Sequence, residues 1–152
     1  MSSRPREIRL EKVDPCSVLT DAQRKGFGVD SKPLSSPGGL NNDQADCTWA
    51  GFDTRAVVAH ITISTRGGIE TYDVTSGRVS AKPITVAGFP ALLMMLARHP
   101  EFCAVGIDVA DGQALDVQSS DGGRKPPVPQ AVLCRDAQAI AVTVMQNLLA
   151  RG

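Results

Sequence analysis

Long apolar runs and an excess of one charge are both missing from this 152-residue chain. Its longest strongly apolar run, residues 91–97 (ALLMMLA), is far too short to span a bilayer. Lys and Arg number 16, as do Asp and Glu, so the formal net charge is zero. A nucleic-acid-binding protein usually carries a basic surface. We therefore expect one globular domain, with no transmembrane helix and no nucleic-acid partner.

The usual motifs of enzymes and metal sites are also missing. The chain has no G-x-S-x-G elbow, no H-E-x-x-H pair and no Walker loop. His60 lies in a strand-like segment and His99 precedes a proline, so a half-exposed sheet position and a turn are expected for them. Asp108 and Asp116 lie on opposite arms of a predicted hairpin, but a carboxylate pair alone is weak support for catalysis. We expect a protein that is not an enzyme and that holds no metal or cofactor.

Four cysteines are present, and they indicate a compartment. They are Cys16, Cys47, Cys103 and Cys134, none in a C-x-x-C pair and none close in sequence to a histidine, so a zinc site is disfavoured. An even number of widely spaced cysteines is typical of disulfides and of an oxidising compartment. Four reduced core cysteines are the alternative. The polar opening MSSRPREIRLEK has no apolar signal region, so export would require a targeting segment that has been removed.

The direction of the side chains predicts how the cysteines pair. Cys103 shares strand parity with Val105 and Ile107, which should face the core. In the last helix, Cys134 lies on an inward-facing stripe with Ala137, Ile140, Ala141, Val144 and Leu148. A Cys103–Cys134 bridge would therefore hold this helix to the sheet. Cys16 and Cys47 would form the second bridge, between the first helix and the first strand.

The order of elements predicts an α+β fold. Residues 1–12 are expected to form a flexible leader or tether, followed by a single globular domain over residues 13–152. A loop rich in Ser, Pro and Gly is expected from Lys32 to Asp46, and a long helix from Pro129 onward. Together the patterns predict a mainly antiparallel β-sheet of about five strands. A short N-terminal helix and the long C-terminal helix would cover it.

Four motifs around the cysteines, with one further motif, carry a resemblance to a known family. DPCSVLTDAQ, CTW, VAGFPA, FCAVGIDV and LCRDAQAIAVTVMQNLL resemble segments of small actinobacterial lipoproteins of one domain-of-unknown-function family. The resemblance covers Val13 to Ala150. Two departures are that Leu133 precedes Cys134, where the family more often has Pro, and that no lipobox is present.

The resemblance implies properties that the motifs do not show. It implies export, a lipid on a removed upstream cysteine, two disulfides, and a sheet sandwiched by helices and akin to the PsbP-like fold. Some small lipoproteins of this general type protect producing cells against their own lantibiotic. We therefore expect a lipid-anchored domain on the extracytoplasmic face of the cell membrane, with a role in lantibiotic immunity as one form of its function.

One apolar run suggests where a ligand would bind. The sequence from Phe89 to Met95 does not alternate, which fits a central strand buried on both faces. The alternative is that Phe89, Leu92, Met94 and Met95 line a groove, because flexible Met side chains suit varied ligands. On that interpretation the protein is a non-enzymatic binding protein for an amphipathic peptide or lipid-like ligand. An accessory subunit of a cell-envelope complex is the alternative function.

Overall fold

The structure is a computed structural model that describes residues 3–38, 44–53 and 55–152. Its described strands form one antiparallel sheet of seven strands in the order β1-β2-β3-β7-β6-β5-β4. Their bounds are β1 Leu34–Gly38, β2 Gln44–Gly51, β3 Val57–Ser64, β4 Val79–Val86, β5 Phe89–Leu96, β6 Phe102–Ala110 and β7 Gln113–Asp121. The predicted α+β class is confirmed. The predicted number of about five strands is wrong.

The two additional strands were hidden by different local sequences. β1 lies inside the segment predicted as a loop; of that segment, residues 39–43 lie outside the described residues. The sequence pattern predicted a strand only in the apolar run from Phe89 to Met95, whereas the structure has a hairpin of β4 and β5 there. Ala87 and Gly88 both have positive φ, at 50° and 87°, which gives the tight two-residue reversal of a hairpin.

In the described part of the chain, two helices and two 3₁₀ turns accompany the sheet. The long helix α2 spans Gln130–Ala150 and packs on β6 and β7. The helix α1, Asp21–Gly26, begins with a capping box formed by Thr20 and Gln23. The 3₁₀ turns are Pro15–Ser17 and Ile69–Thr71. Neither helix among the described residues is long and apolar enough to cross a bilayer.

The core lies between α2 and one face of the sheet. The helix residues predicted to face inward are buried, among them Ile140, Val144 and Leu148, and Trp49 of β2 is buried with them. The guanidinium of Arg24, on α1, lies 5.8 Å from the centroid of the Trp49 ring, within the range of a cation–π contact. The helix stripe read from the sequence therefore identifies the packed face.

Both predicted disulfides are confirmed. Cys16 bonds to Cys47 and joins the first 3₁₀ turn to β2. Cys103 bonds to Cys134 and joins β6 to α2. Both bridges lie on the helix-covered side of the sheet, so each fixes a covering element to a strand of the core.

The N-terminal segment, described from residue 3, packs on the sheet, whereas the sequence predicted a flexible leader or tether over residues 1–12. Leu10 is 1% exposed and Ile8 is also buried. The backbone N–H of Ile8 donates to the carbonyl of Val109. The buried Gln113 amide accepts from the Leu10 N–H at 2.7 Å and donates to Glu11 at 2.6 Å. Because these contacts satisfy a buried amide, the segment is a structural component of the domain.

Candidate functional site

The sheet has two unlike faces. Successive side chains of a strand point to opposite faces of the sheet. α2 and the N-terminal segment cover one of these faces. We call the opposite face the open face. Two rows of paired residues cross the centre of the open face. The first row is Asp46, Thr62, Asp116, Gly106 and Leu92, and the second is Thr48, His60, Gln118, Ala104 and Met94.

The four residues predicted to bind a ligand lie on opposite faces of the sheet. Phe89 is fully buried on the helix side, and Met95 packs against the core on that same side. Leu92 and Met94 alternate with them and lie half-buried on the open face. The strand is therefore neither buried on both faces nor wholly a groove, and of the four predicted residues Leu92 and Met94 are the two that lie on the open face.

An apolar strip extends around these two residues. Leu96, at 37% exposed, follows on the same strand parity, and Phe102 lies half-buried on the adjacent strand β6. Sequence reasoning missed Phe102 as a surface residue. The available signal was its alternation with Cys103, whose inward direction was predicted.

Polar groups occupy the other half of the open face, on β2, β3 and β7. Thr48 Oγ1 lies 2.7 Å from His60 Nδ1, and His60 Nε2 lies 3.7 Å from Asp46 Oδ2. His60 is half-exposed in its strand, as predicted from the sequence. None of the described strand positions on the open face is Lys or Arg. The oxygen and nitrogen atoms of Asp46, Thr48 and His60 can accept hydrogen bonds, and the Asp46 carboxylate can pair with a cation.

A tyrosine from the segment between β3 and β4 lies between the two halves. The Tyr72 hydroxyl donates to Asp116 Oδ1 at 2.5 Å. A side chain at Gly106 would lie 2.5 Å from the Tyr72 ring and 3.0 Å from the Met94 methyl group. The missing side chain at Gly106 therefore makes room for the ring. The hairpin pattern relates Asp116 to Asp108, and nothing in the local sequence connects Asp116 with Tyr72.

Burial controls the ionisation of this pair. It raises the pKa of the Asp116 carboxyl to about 6, although donation from Tyr72 acts in the opposite direction. Burial, with the neighbouring Asp116 charge, also raises the pKa of Tyr72. At neutral pH the open face consequently holds a carboxylate that is poorly hydrated and hydrogen-bonded to a neutral phenol.

We expect the Asp116 carboxyl to make stability depend on pH. Its pKa of about 6 lies above the value of about 3.9 for an unfolded chain, so the folded state binds the proton more tightly. The stabilisation of the folded state by the protonated Asp116 carboxyl is fully present below about pH 4 and is lost as pH rises through 6. Allowing for partial contact with water, we expect the free energy of unfolding to fall by about 2 kcal/mol over this interval.

The measurement is urea unfolding at several pH values between 4 and 7. Asp116→Asn keeps an acceptor for Tyr72 and removes the titrating group, so its profile should be flatter than that of the natural chain. The difference between the two profiles isolates Asp116 from all other carboxylates. Parallel profiles would show that this carboxyl titrates as it does in water.

These features define a class of protein. An antiparallel sheet with one helix-covered face and two disulfides is a disulfide-stabilised α+β domain, which folds outside the reducing cytoplasm. The chain belongs to the family described as "Protein of unknown function (DUF3558)", whose model matches residues 1–147. No curated protein and no solved structure matches the chain. The predicted membership of a family of unknown function is confirmed; the predicted PsbP-like fold stays a prediction.

Proposed function

We propose that the chain is the extracytoplasmic domain of a lipid-anchored, non-enzymatic protein that binds a cationic amphipathic peptide on the open face. One observation carries the proposal. A sheet face not covered by α2 places an apolar strip beside carboxylates and a histidine, with no Lys or Arg at its described strand positions. Contiguous apolar surface bordered by polar groups is typical of sites that bind peptides.

The charge of the open face supports a cationic ligand over an anionic one. Its described strand positions include Asp46, Asp108 and Asp116. Asp108 is neutralised by Arg4, whose Nη1 lies 2.6 Å from its Oδ1. Asp46 and Asp116 have no Arg or Lys partner among the ion pairs of the described residues. A ligand ammonium or guanidinium group would compensate these charges while its apolar side chains contact Leu92 and Met94.

The finer form of the proposal follows from the family resemblance. A peptide antibiotic is an amphipathic peptide that acts at the cell surface. A lipid-anchored protein that captures it there would act as an immunity protein by sequestration. The open face supports this form only through its mixed apolar and acidic character.

Methionine methyl groups give a direct test of ligand binding. The chain contains Met1, Met94, Met95 and Met145, so methyl-labelled methionine gives a simple NMR spectrum. On titration with a synthetic amphipathic peptide of Leu and Lys, we expect the Met94 signal to shift and that of the fully buried Met145 to stay unchanged. A peptide in which Glu replaces every Lys should bind at least tenfold more weakly. Equal binding of both peptides would contradict the role of charge.

Adjacent methionines provide a matched pair of variants. Met94→Gln keeps the shape of a half-exposed side chain but adds a polar group, so we expect about tenfold weaker peptide binding and little change in stability. Met95→Gln places the same change against the core and should lower the melting temperature with little effect on affinity. If Met94→Gln leaves the affinity unchanged, the open face is not the binding site. That result would favour an accessory subunit of an envelope complex.

A further inference from the structure

A second concave site lies at the other end of the core, beside the N-terminus of α2. It is a pocket of about 240 Å³ between the start of β3 and the connector from β7 to α2. Prolines and valines of the connector and of the first turn of α2 form its apolar lining, with Pro126, Pro129 and Val132 among them. None of its lining residues belongs to the open face.

The fold fixes the connector that forms one wall of this pocket. Asp121 accepts a hydrogen bond from the Val128 N–H at 3.0 Å and another from the Gly123 N–H at 3.3 Å. The Gly122 N–H donates to the Ala56 carbonyl at 2.8 Å. The carboxylate of Asp121 is therefore used to hold the connector, and the wall is organised before any ligand binds.

Three cationic side chains line the pocket, and only one of them is neutralised. Arg55 forms an ion pair with Asp136, with 2.5 Å between Nη2 and Oδ2. The guanidinium of Arg124 donates to the backbone carbonyl of Phe52 and has no ion pair within the described part of the chain. Lys125 has no ion pair or side-chain hydrogen bond within residues 3–38, 44–53 and 55–152. The chain has no net charge, so this is a local excess of positive charge.

We propose that this pocket binds an amphipathic anion, a carboxylate or phosphate joined to a short apolar group. Arg124 and Lys125 would hold the anionic group, because guanidinium and ammonium groups recognise both chemistries. Pro126, Pro129 and Val132 would contact the apolar part. The selectivity for charge is opposite to that of the open face, and the proposal does not depend on the function proposed for that face.

Titration with four probes tests the proposal on the natural chain. Decyl phosphate and decanoate, below the concentrations at which they form micelles, should shift backbone amide signals between Arg124 and Val132. Inorganic phosphate lacks the apolar part and decyl maltoside lacks the charge, so each should bind at least tenfold more weakly than decyl phosphate. Equal binding of inorganic phosphate would overturn the role of the apolar lining. Equal binding of decyl maltoside would overturn the role of the cations.

Two charge-removing variants provide the comparison. Lys125→Gln changes a cation without an ion pair or side-chain hydrogen bond among the described residues, so stability should change little while decyl phosphate binds about tenfold more weakly. Arg135→Gln removes a cation that is exposed on α2 outside the pocket lining, and its affinity should match that of the natural chain. Equal losses in both variants would indicate non-specific attraction and would overturn the site, as would an unchanged affinity in Lys125→Gln. Met94→Gln should leave this binding unaffected, so the two proposals can fail separately.

Discussion

Loss of both disulfides should remove most of the stability of the domain. Each bridge closes a loop with a sequence separation of 31 residues. In the chain-entropy account, a loop of this length contributes about 3–4 kcal/mol by restricting the unfolded chain. The loops, 16–47 and 103–134, do not overlap, so the two contributions should add to about 7 kcal/mol. Since a domain is usually stable by about 5–15 kcal/mol, the fully reduced chain should be close to unfolding at 25 °C.

Replacement of one pair at a time separates the two bridges. We expect Cys103→Ala with Cys134→Ala to lower the free energy of unfolding by about 3–4 kcal/mol, and the Cys16 and Cys47 pair to act similarly. The measurement is urea unfolding of oxidised protein, with the natural chain in reductant as the comparison. Unchanged stability after reduction would show that the bridges add nothing to the noncovalent core. Non-reducing peptide mapping checks the pairing itself.

Truncation of the α2 stripe should give the second largest effect. Ile140 is buried between the helix and the sheet. Ile140→Ala removes buried methyl and methylene groups and leaves a cavity, so we expect a loss of about 2–5 kcal/mol. Chemical unfolding measured by circular dichroism gives this value directly.

An exposed residue on the same helix provides the control. Gln146 lies on the outward side of α2, where Ala is a better helix former, so Gln146→Ala should change stability by less than about 0.5 kcal/mol. A loss below about 1 kcal/mol in Ile140→Ala would mean that the helix packs loosely against the sheet. Equal losses in both variants would show that the burial of Ile140 is not the cause, because Ala is a better helix former than either residue it replaces.

The sequence predicted those elements whose local pattern and tertiary role agree. The long helix was expected from Pro129 and is observed at Gln130–Ala150, because its apolar stripe is also the face that packs. The hairpin of β6 and β7 turns at Asp111 and Gly112, where Gly112 has a φ of 70°. Strand parity and helix stripe then sufficed for the Cys103–Cys134 pairing, because both residues point into one core.

Other elements depend on partners that are distant in sequence. The strand β1 contains LSSPG, which has no apolar alternation and is a strand through its pairing with β2. The N-terminal segment gave a weak signal in the two-residue spacing of Ile8 and Leu10. Its structural role depends on the hydrogen bond from the Leu10 N–H to the buried Gln113 side chain, which lies 103 positions away in the sequence. The candidate site could be predicted only in part for the same reason. Leu92 and Met94 belong to an apolar run that is visible in the local sequence, but the contact of Tyr72 with the sheet is not.

The docked N-terminal segment sets an orientation relative to the membrane if the proposed lipid anchor is present. Arg6 donates to the carbonyl of Leu149, so this segment contacts the C-terminal end of α2. The basic pocket lies at the other end of the helix, where Val132 contributes to its lining. A 21-residue helix is about 30 Å long at about 1.5 Å per residue. A lipid attached upstream would tether the domain at the end that carries the C-terminus of α2, and the pocket would lie about 30 Å from that end along the helix axis.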